Sequence, residues 1–148
     1  MTHKILVPLD GSPGSETVLA TAEEVARAEG ASVHLLHVAP LPEVLRSGDR
    51  IVAYADQESA RVEHEGLAYL KEVSAGLRGV EVEQAVRFGE PGEQIVEEAT
   101  SAGADLIAMA THRRAGVRRI LKGSVAEQVR RATRIPVLLV PYGARSAA

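Results

Sequence analysis

The chain has 148 residues, 45% of them hydrophobic and 25% charged, with a formal net charge of −3 and no cysteine. This length and composition are typical of one globular domain, and they exclude a disordered chain, a disulfide-stapled fold and thiol or thiolate-metal chemistry. The negative charge argues against a general nucleic-acid binder, and the scarcity of aromatic residues argues against a module that stacks bases.

No apolar run reaches the roughly 18 residues that a membrane-spanning helix needs. The N-terminal sequence MTHKILVPLD carries charge too close to its apolar core for a signal peptide. From the sequence we therefore expect a cytoplasmic protein with no membrane contact and no nucleic-acid partner.

The first 40 residues predict two buried strands joined by a helix. Residues 4–9 (KILVPL) and 32–38 (SVHLLHV) are apolar runs of strand length. Between them, the turn sequence DGSPGS at residues 10–15 precedes apolar residues at helical spacing. Ser15 or a neighbour is predicted to cap this helix, and Gly30 is predicted to end it.

The middle of the chain predicts a loop, a long helix and a third strand. Residues 43–54 show no clear period and are interpreted as a loop with room for one helical turn. Residues 56–77 carry an imperfect apolar stripe at helical spacing, slightly weakened by Gly66. The strand at residues 80–86 alternates in part with glutamates, which indicates an edge or half-exposed position.

The last third predicts two helices and two further strands. A helix at residues 93–102 follows the turn GEPG, and residues 105–110 (DLIAMA) form a buried strand. Ser124 is predicted as the N-cap of a helix over residues 124–133, with the glutamate three residues later completing a capping box. Residues 137–140 (VLLV), between two prolines, predict the fifth strand.

The tail from Tyr142 onwards (YGARSAA) offers nothing to pack. No linker or internal repeat interrupts the preceding pattern. We therefore expect one domain at residues 1–142 and a frayed tail at residues 143–148.

Alternation of strands with helices implies an α/β fold, in which a parallel sheet is covered on both faces. Ligands in such sheets bind beyond the carboxyl ends of the strands, where the strand order reverses. The loops richest in glycine and serine follow the first and fourth strands. If these strands are neighbours, the order is 3-2-1-4-5 and both loops meet at one crevice.

The loop between the fourth strand and the last helix combines features of an anion site. It carries five cations, a glycine turn and the N-terminus of the following helix, and phosphate is the anion most commonly held by such a helix end. The cations are Arg113, Arg114, Arg118, Arg119 and Lys122. An equally open interpretation is a solvated basic loop before an ordinary capped helix.

Six segments of the chain together resemble the universal stress protein family, in the same order and over nearly the whole length. They are KILVPLDGS, HLLHV, GEPGEQIVEEA, DLIAMATH, GSVAEQV and IPVLLV. The resemblance implies a three-layer sandwich with a five-stranded parallel sheet, of the adenine-nucleotide alpha-hydrolase-like class. It also implies a homodimer through the strand at residues 137–140 and, in one branch of the family, an ATP site.

The resemblance carries ligand-binding roles onto three groups of residues. Those expected to line the base pocket, with Asp10 facing base or ribose, are Pro8, Leu9, Asp10 and Val38. Met109 and Ala110 would form the floor. The phosphates would be surrounded by His112, Arg113, Gly123, Ser124 and Val125. Each also has a structural interpretation: Asp10 as a turn residue, Val38 and Met109 as core, and Ser124 as a cap alone.

The chain departs from the ATP-binding pattern at two glycines. That pattern is a glycine, two residues, a second glycine, nine residues, then a glycine followed by serine or threonine. Here the positions are occupied by Ala110, Arg113, Gly123 and Ser124. Ala110 adds one methyl group, tolerable if its backbone has negative φ. Arg113 either blocks the site or directs its guanidinium at the phosphates.

No catalytic constellation stands out in the sequence. His34 and His37 are three residues apart on a strand, so they point to opposite faces and cannot share a metal. There is no Walker loop and no dinucleotide-binding glycine motif after the first strand. Asp10, Glu90 and Asp105 are the carboxylates available for Mg²⁺, and Asp105 lies at the far end of its strand.

Three functional hypotheses follow. The first is a dimeric stress-response or signalling module that binds ATP, with or without Mg²⁺, or another adenine nucleotide. The second is a family member that binds no nucleotide and acts as a dimeric interaction protein. The third is a nucleotide-using enzyme on a related sheet, which the missing catalytic residues disfavour, although slow incidental ATP hydrolysis is compatible with the first.

Overall fold

The computed structural model of the chain describes residues 2–41, 48–111 and 124–142, with residues 48–56 described by their backbone alone. Strands and helices alternate along these ranges. The strands are β1 (Lys4–Pro8), β2 (Ser32–Ala39), β3 (Val82–Phe88), β4 (Leu106–Thr111) and β5 (Val137–Pro141). The helices are α1 (Leu19–Glu29), α2 (Gly48–Ala75), α3 (Pro91–Ala102) and α4 (Val125–Ala132), and a short 3-10 helix (Ser15–Val18) precedes α1.

The strands form one parallel sheet with the order β3-β2-β1-β4-β5, which confirms the predicted topology. At its centre, Leu6 of β1 lies opposite His34 of β2 on one side and Ile107 of β4 on the other. The strand order therefore reverses between β1 and β4. Their carboxyl ends are the place where a parallel α/β sheet leaves room for a ligand.

Two apolar cores cover the two faces of the sheet, because side chains alternate along each strand. Ile5, Val7, Val33 and Leu35 point to the face covered by α1 and α2, where Leu70 is fully buried. The opposite core, which includes α3 and α4, contains Leu6, Leu36, Ile95, Ile107 and Val129. This is the predicted three-layer sandwich. None of the helices in the described part of the chain has the length and apolar character needed to cross a membrane.

Helix α2 is longer than the sequence pattern predicts. It begins at Gly48, so the second half of the predicted loop at residues 43–54 is helical. Helix propagation adds one backbone hydrogen bond per residue and needs no apolar period. Because no proline interrupts residues 48–75, the helix extends beyond its recognisable stripe. Residues 42–47 lie outside the described residues.

Gly66 lies where α2 packs closely against the sheet. A β-carbon on Gly66 would stand 3.0 Å from a methyl carbon of Val86 and 3.2 Å from the His37 ring. The glycine that weakens the helix in isolation therefore allows close packing against β2 and β3.

His34 and His37 point to opposite faces, as their spacing predicts. His37 Nδ1 lies 2.9 Å from the Leu9 carbonyl oxygen, and its ring meets the Tyr69 ring edge-on at a centroid distance of 6.0 Å. On the other face, His34 is buried between two carboxylates, with Nδ1 3.2 Å from Glu83 Oε1 and Nε2 2.6 Å from Glu98 Oε2. These are structural contacts at two separate places.

Glu98 ties α3 to the sheet through this polar cluster. Arg87 Nε donates to Glu98 Oε1 at 2.6 Å, and an Arg87 terminal nitrogen donates to Gln94 Oε1 at 3.1 Å. Partial burial raises the pKa of Glu98, but the hydrogen bonds from Arg87 and His34 outweigh it, so its pKa lies below the ordinary 4.5. A carboxylate whose pKa is lower in the folded than in the unfolded state stabilises the fold above the unfolded-state pKa.

We predict that Glu98 contributes to acid denaturation. As pH falls from 7 through about 4.5 and below, wild type should lose unfolding free energy as the folded carboxylate protonates, whereas Glu98→Gln, with nothing to protonate there, should lose less. Urea denaturation at a series of pH values measures this. The control is Glu63→Gln, which removes an exposed carboxylate of α2 that has no ion pair among the described residues. If the free energy of unfolding of Glu98→Gln falls with decreasing pH as steeply as that of wild type, the assignment is contradicted.

Candidate functional site

A crevice opens at the carboxyl ends of the strands, over the β1–β4 junction. Its volume is about 380 Å³, within the range of about 300–1,000 Å³ found for small-molecule sites. It extends from the end of β2 to the end of β5. The lining residues are Pro8, Leu9, Asp10, Ser15, Val38, Pro91, Ile95, Met109, Ala110, Thr111, Ser124, Val125, Ala126 and Tyr142.

The side of the crevice nearest β2 and α3 is apolar. Val38, at the end of β2, packs with Ile95 of α3 and Met109 of β4 in the core beneath. Pro91 is the first residue of α3, whose N-cap is Glu90 through a 3.1 Å hydrogen bond from the Gly92 amide. Proline suits this position because the first helical N–H has no intrahelical acceptor. The result is an apolar wall built from strand ends and one helix terminus.

The turn after β1 holds Asp10 in place. Its Oδ1 accepts hydrogen bonds from the Ser12 amide at 2.8 Å and the Ser12 hydroxyl at 2.6 Å. Partial burial raises the pKa of Asp10, but the hydrogen bonds from Ser12 and Ser15 outweigh it, so the pKa lies below its ordinary value. The two bonds from Ser12 use part of the capacity of a carboxylate, which can accept about four hydrogen bonds. Asp10 therefore presents at the crevice an ionised carboxylate that can accept further hydrogen bonds.

Of the predicted caps, Ser15 or a neighbour, Ser15 is wrong. Neither the 3-10 helix nor α1 has a side-chain cap. The Ser15 hydroxyl is buried in the turn, where it donates to the Ser12 carbonyl at 2.9 Å and accepts from the Asp10 amide at 3.3 Å. Ser12 closes the turn instead, because its hydroxyl oxygen accepts from the Ser15 amide at 3.1 Å. Ser15 thus contributes to the crevice lining from inside the turn.

At the other polar side, Ser124 is the N-cap of α4, as predicted. Its hydroxyl accepts a hydrogen bond from the Glu127 amide at 3.1 Å. The Glu127 carboxylate binds Arg130 at 2.6 Å and Arg131 at 3.1 Å. The first amides of α4 are partial positive charges directed outward from the helix end, which favours an anionic ligand group there.

Tyr142 closes the β5 side of the crevice, and the sequence pattern missed it. Its amide donates to the Thr111 carbonyl at 2.7 Å, which continues the β4–β5 pairing. Its ring lies against the Gly14 backbone, where a β-carbon would stand 2.3 Å from two ring carbons. The expectation that the tail from Tyr142 has nothing to pack is therefore wrong for this residue. Residues 143–148, predicted to fray, lie outside the described residues.

The structure brings most of the expected ligand residues to this crevice. Eight line it: Pro8, Leu9, Asp10, Val38, Met109, Ala110, Ser124 and Val125. His112, Arg113 and Gly123, together with the other cations of the loop, lie outside the described residues. Among the described non-glycine residues none has positive φ, so the extra methyl of Ala110 sits on ordinary strand backbone.

Six lining residues were not predicted: Ser15, Pro91, Ile95, Thr111, Ala126 and Tyr142. Four of them, Pro91, Thr111, Ala126 and Tyr142, lie within two residues of a predicted strand end or helix start. If the strand-end rule had been applied to every strand, it would have found Thr111 at the end of β4 and Tyr142 after β5. Ile95 and Ser15 required the helix faces and turn geometry of the structure.

Only one of the three carboxylates considered for Mg²⁺ lines the crevice. Asp10 does so, whereas Glu90 caps α3 and Asp105 accepts from the His3 and Lys4 amides at the opposite ends of the strands. Among the described residues no group of three or more His, Asp and Glu side chains is placed to hold a metal.

Comparison with known proteins identifies relatives over nearly the whole chain. A family model described as the universal stress protein family matches residues 1–141. Universal stress protein YxiE of Bacillus subtilis is 31% identical over 147 residues, which cover 95% of this chain and 99% of the relative. The match spans both the strand-end loops and the core segments between them.

Solved structures agree with this fold. The MJ0577 protein of Methanocaldococcus jannaschii superposes with a TM-score of 0.81 at 28% identity, covering 98% of this chain and 99% of the other. A universal stress protein in complex with cAMP gives a TM-score of 0.64 at 22% identity, covering 96% and 98%. One from Archaeoglobus fulgidus in complex with dAMP gives 0.57 at 23% identity, covering 94% and 97%. The fold is of the adenine-nucleotide alpha-hydrolase-like class.

We predict that Ser124→Ala lowers the free energy of unfolding by about 1 kcal/mol, because the Glu127 amide loses its capping acceptor. Chemical denaturation of the ligand-free protein measures this loss. The matched control is Ser101→Ala, at an exposed position inside α3, which should change stability by less than about 0.5 kcal/mol. Equal stability of Ser124→Ala and wild type would show that the cap contributes nothing.

Proposed function

Because the chain belongs to the universal stress protein family, we propose that it is a stress-response or signalling module that binds an adenine nucleotide, ATP foremost, in the crevice over β1 and β4. The observation that carries the proposal is the lining itself. An apolar wall, an ionised carboxylate and a helix N-terminus meet in one cavity at the point where the strand order reverses.

The chemistry of the crevice gives the ligand one preferred orientation. The wall of Val38, Ile95 and Met109 suits a flat, largely apolar base. Asp10 repels phosphate but accepts hydrogen bonds from sugar hydroxyls, while the first amides of α4 attract phosphate. One arrangement satisfies the apolar wall, the Asp10 carboxylate and the first amides of α4. It places the base near β2, the sugar near Asp10 and the phosphates near Ser124.

The family complexes with cAMP and dAMP agree with this proposal in ligand class, but at 22% and 23% identity they bear on the fold alone. Support for nucleotide binding therefore comes from residues of this chain. The motif positions retained at Gly123 and Ser124, and the eight predicted residues that line the crevice, favour binding. Arg113, where the family motif has glycine, is the departure that a direct measurement must address.

We assign the protein a binding role and no catalytic activity. The described crevice residues that carry polar side chains are Asp10, Ser15, Thr111, Ser124 and Tyr142, and they suit recognition through hydrogen bonds. They do not form the nucleophile–base pair that acyl or phosphoryl transfer requires. A cytoplasmic location and the absence of membrane and nucleic-acid partners belong to the same proposal.

We also propose a homodimer through β5. This strand is one edge of the sheet and pairs on its inner side with β4, from Ile107 opposite Val137 to Thr111 opposite Pro141. Its outer side carries backbone groups of an apolar segment, VLLVP, and no other strand of the described residues pairs with it. A sheet edge of this kind commonly pairs with another chain. A second copy of the same strand is the simplest cover.

We predict measurable ATP binding by wild type, weakened by added salt because the loop cations contribute. Titration calorimetry with ATP, and with GTP as the control base, measures it. Arg113→Gly separates the two roles of this residue: tighter ATP binding in the variant means that arginine blocks the site, and weaker binding means that it contacts phosphate. Mass spectrometry of small molecules released from the denatured protein gives an independent readout. Absence of ATP and ADP binding in both proteins would leave the dimeric interaction module as the function.

We predict a dimer at micromolar concentration, with twice the chain mass of 15.7 kDa. Sedimentation equilibrium should give this mass with and without ATP, because the edge of β5 is apolar whether or not the crevice is occupied. A single species with the mass of one chain under both conditions would remove the proposed interface.

A further inference from the structure

We propose that Tyr142 determines ligand specificity in the crevice, where its hydroxyl, together with Asp10, recognises the sugar hydroxyls of a ribonucleotide. This inference rests on the proposed nucleotide function and specifies the part of the ligand read at the β1 turn. It concerns a residue that lies beyond the last strand, in a segment whose sequence gives no sign of a site.

The ring of Tyr142 has a fixed position. Its backbone is anchored to β4 by the 2.7 Å bond to the Thr111 carbonyl. Its ring occupies the space beside Gly14 that any larger residue would fill, since a β-carbon there would stand 2.3 Å from the ring. Gly14 has φ −63° and ψ −40°, so its backbone would accept any residue. The glycine is therefore needed for the ring that lies against it.

Tyr142 and Asp10 line the same crevice, and the Tyr142 ring lies against Gly14 of the turn that follows Asp10. Partial burial and the negative charge of Asp10 raise the pKa of Tyr142, and a hydrogen bond with Ser12 lowers it by a smaller amount. The phenol is therefore neutral at physiological pH. A neutral phenol both donates and accepts hydrogen bonds, as a sugar hydroxyl does.

Asp10 determines which ligand groups can bind in the corner of the crevice that it forms with Tyr142. Its Oδ1 accepts two hydrogen bonds from Ser12, and a carboxylate has the capacity to accept about four. A carboxylate oxygen calls for a donor and disfavours phosphate. The 2′- and 3′-hydroxyls of ribose provide donors. A 2′-deoxyribose lacks the 2′-hydroxyl, and in a 3′,5′-cyclic phosphate the 3′-oxygen is esterified and carries no hydrogen to donate. The corner therefore favours a ribonucleotide with both hydroxyls free.

The test compares ATP, 2′-deoxy-ATP and 3′-deoxy-ATP by titration calorimetry on wild type and variants. In wild type, at least one deoxy analogue should bind about tenfold more weakly than ATP, because it lacks a hydroxyl that both Asp10 and Tyr142 contact in the proposal. Tyr142→Phe keeps the ring and removes the hydroxyl, so it should weaken ATP binding and reduce that ratio to about threefold or less. Gly14→Ala displaces the ring and should have the same effect.

Tyr69→Phe is the matched control. Its hydroxyl donates to Glu16 at 2.6 Å close to the same turn, but Tyr69 does not line the crevice. It should leave the ratio unchanged. Melting curves show whether each variant is folded, and Tyr142→Phe, which leaves the packing intact, is informative even if Gly14→Ala unfolds.

Two failures are distinguishable. If wild type binds ATP and the ratio is the same in Tyr142→Phe and wild type, Tyr142 has no role in specificity and the nucleotide function stands. If wild type binds ATP and both deoxy analogues equally, sugar recognition at this corner is wrong. If wild type binds none of the three nucleotides, the proposed function is overturned and this inference with it.

Discussion

The adjacency of β1 and β4 is the constraint on which the rest of the structure depends. β1 pairs with β2 on one side and with β4 on the other, so the chain must cross the sheet and the helices divide between its two faces. Right-handed crossovers then place α1 and α2 on one face and α3 and α4 on the other. The helices that follow β1 and β4 therefore lie on opposite faces, and the crevice opens at the strand ends between them.

The position of one crevice wall depends on polar contacts away from the crevice. Helix α3 supplies Pro91 and Ile95 to the lining, and the same helix is fixed to β2 and β3 by Glu98, which contacts His34 and Arg87. Both ring nitrogens of His34 face carboxylates, so rotating the ring or shifting the helix would leave a buried polar group without its partner. Apolar packing alone would allow α3 to slide slightly along the sheet. The directional contacts of Glu98 with His34 and Arg87 fix the position of α3 relative to the strand ends.

The sequence predicted the sheet well because burial on both faces leaves a strong signal. The central strands are mainly apolar runs of the right length. The strand order followed from the condition that the first and fourth strands are neighbours, and the family resemblance implied the same sheet. The start of α2 was not predictable in this way, since backbone hydrogen bonding extends the helix beyond its apolar stripe. The turn at Ser12 and Ser15 was also beyond the pattern, because several hydroxyls compete for the same amides and only geometry decides which bond forms.

Tyr142 shows why part of the site escaped sequence reasoning, and it also connects the two proposals. The Tyr142 ring can be assigned to the crevice lining only when the surface that it contacts is known. That surface is Gly14, which lies 128 positions earlier in the chain. The same residue directly follows β5, the edge proposed to pair with a second copy. By thermodynamic linkage, any preference of the dimer for the ligand-bound chain must appear equally as a preference of the ligand for the dimer. Tyr142 follows the five-residue strand β5 directly, so the proposed ligand contact and the proposed dimer edge belong to one continuous segment of the chain.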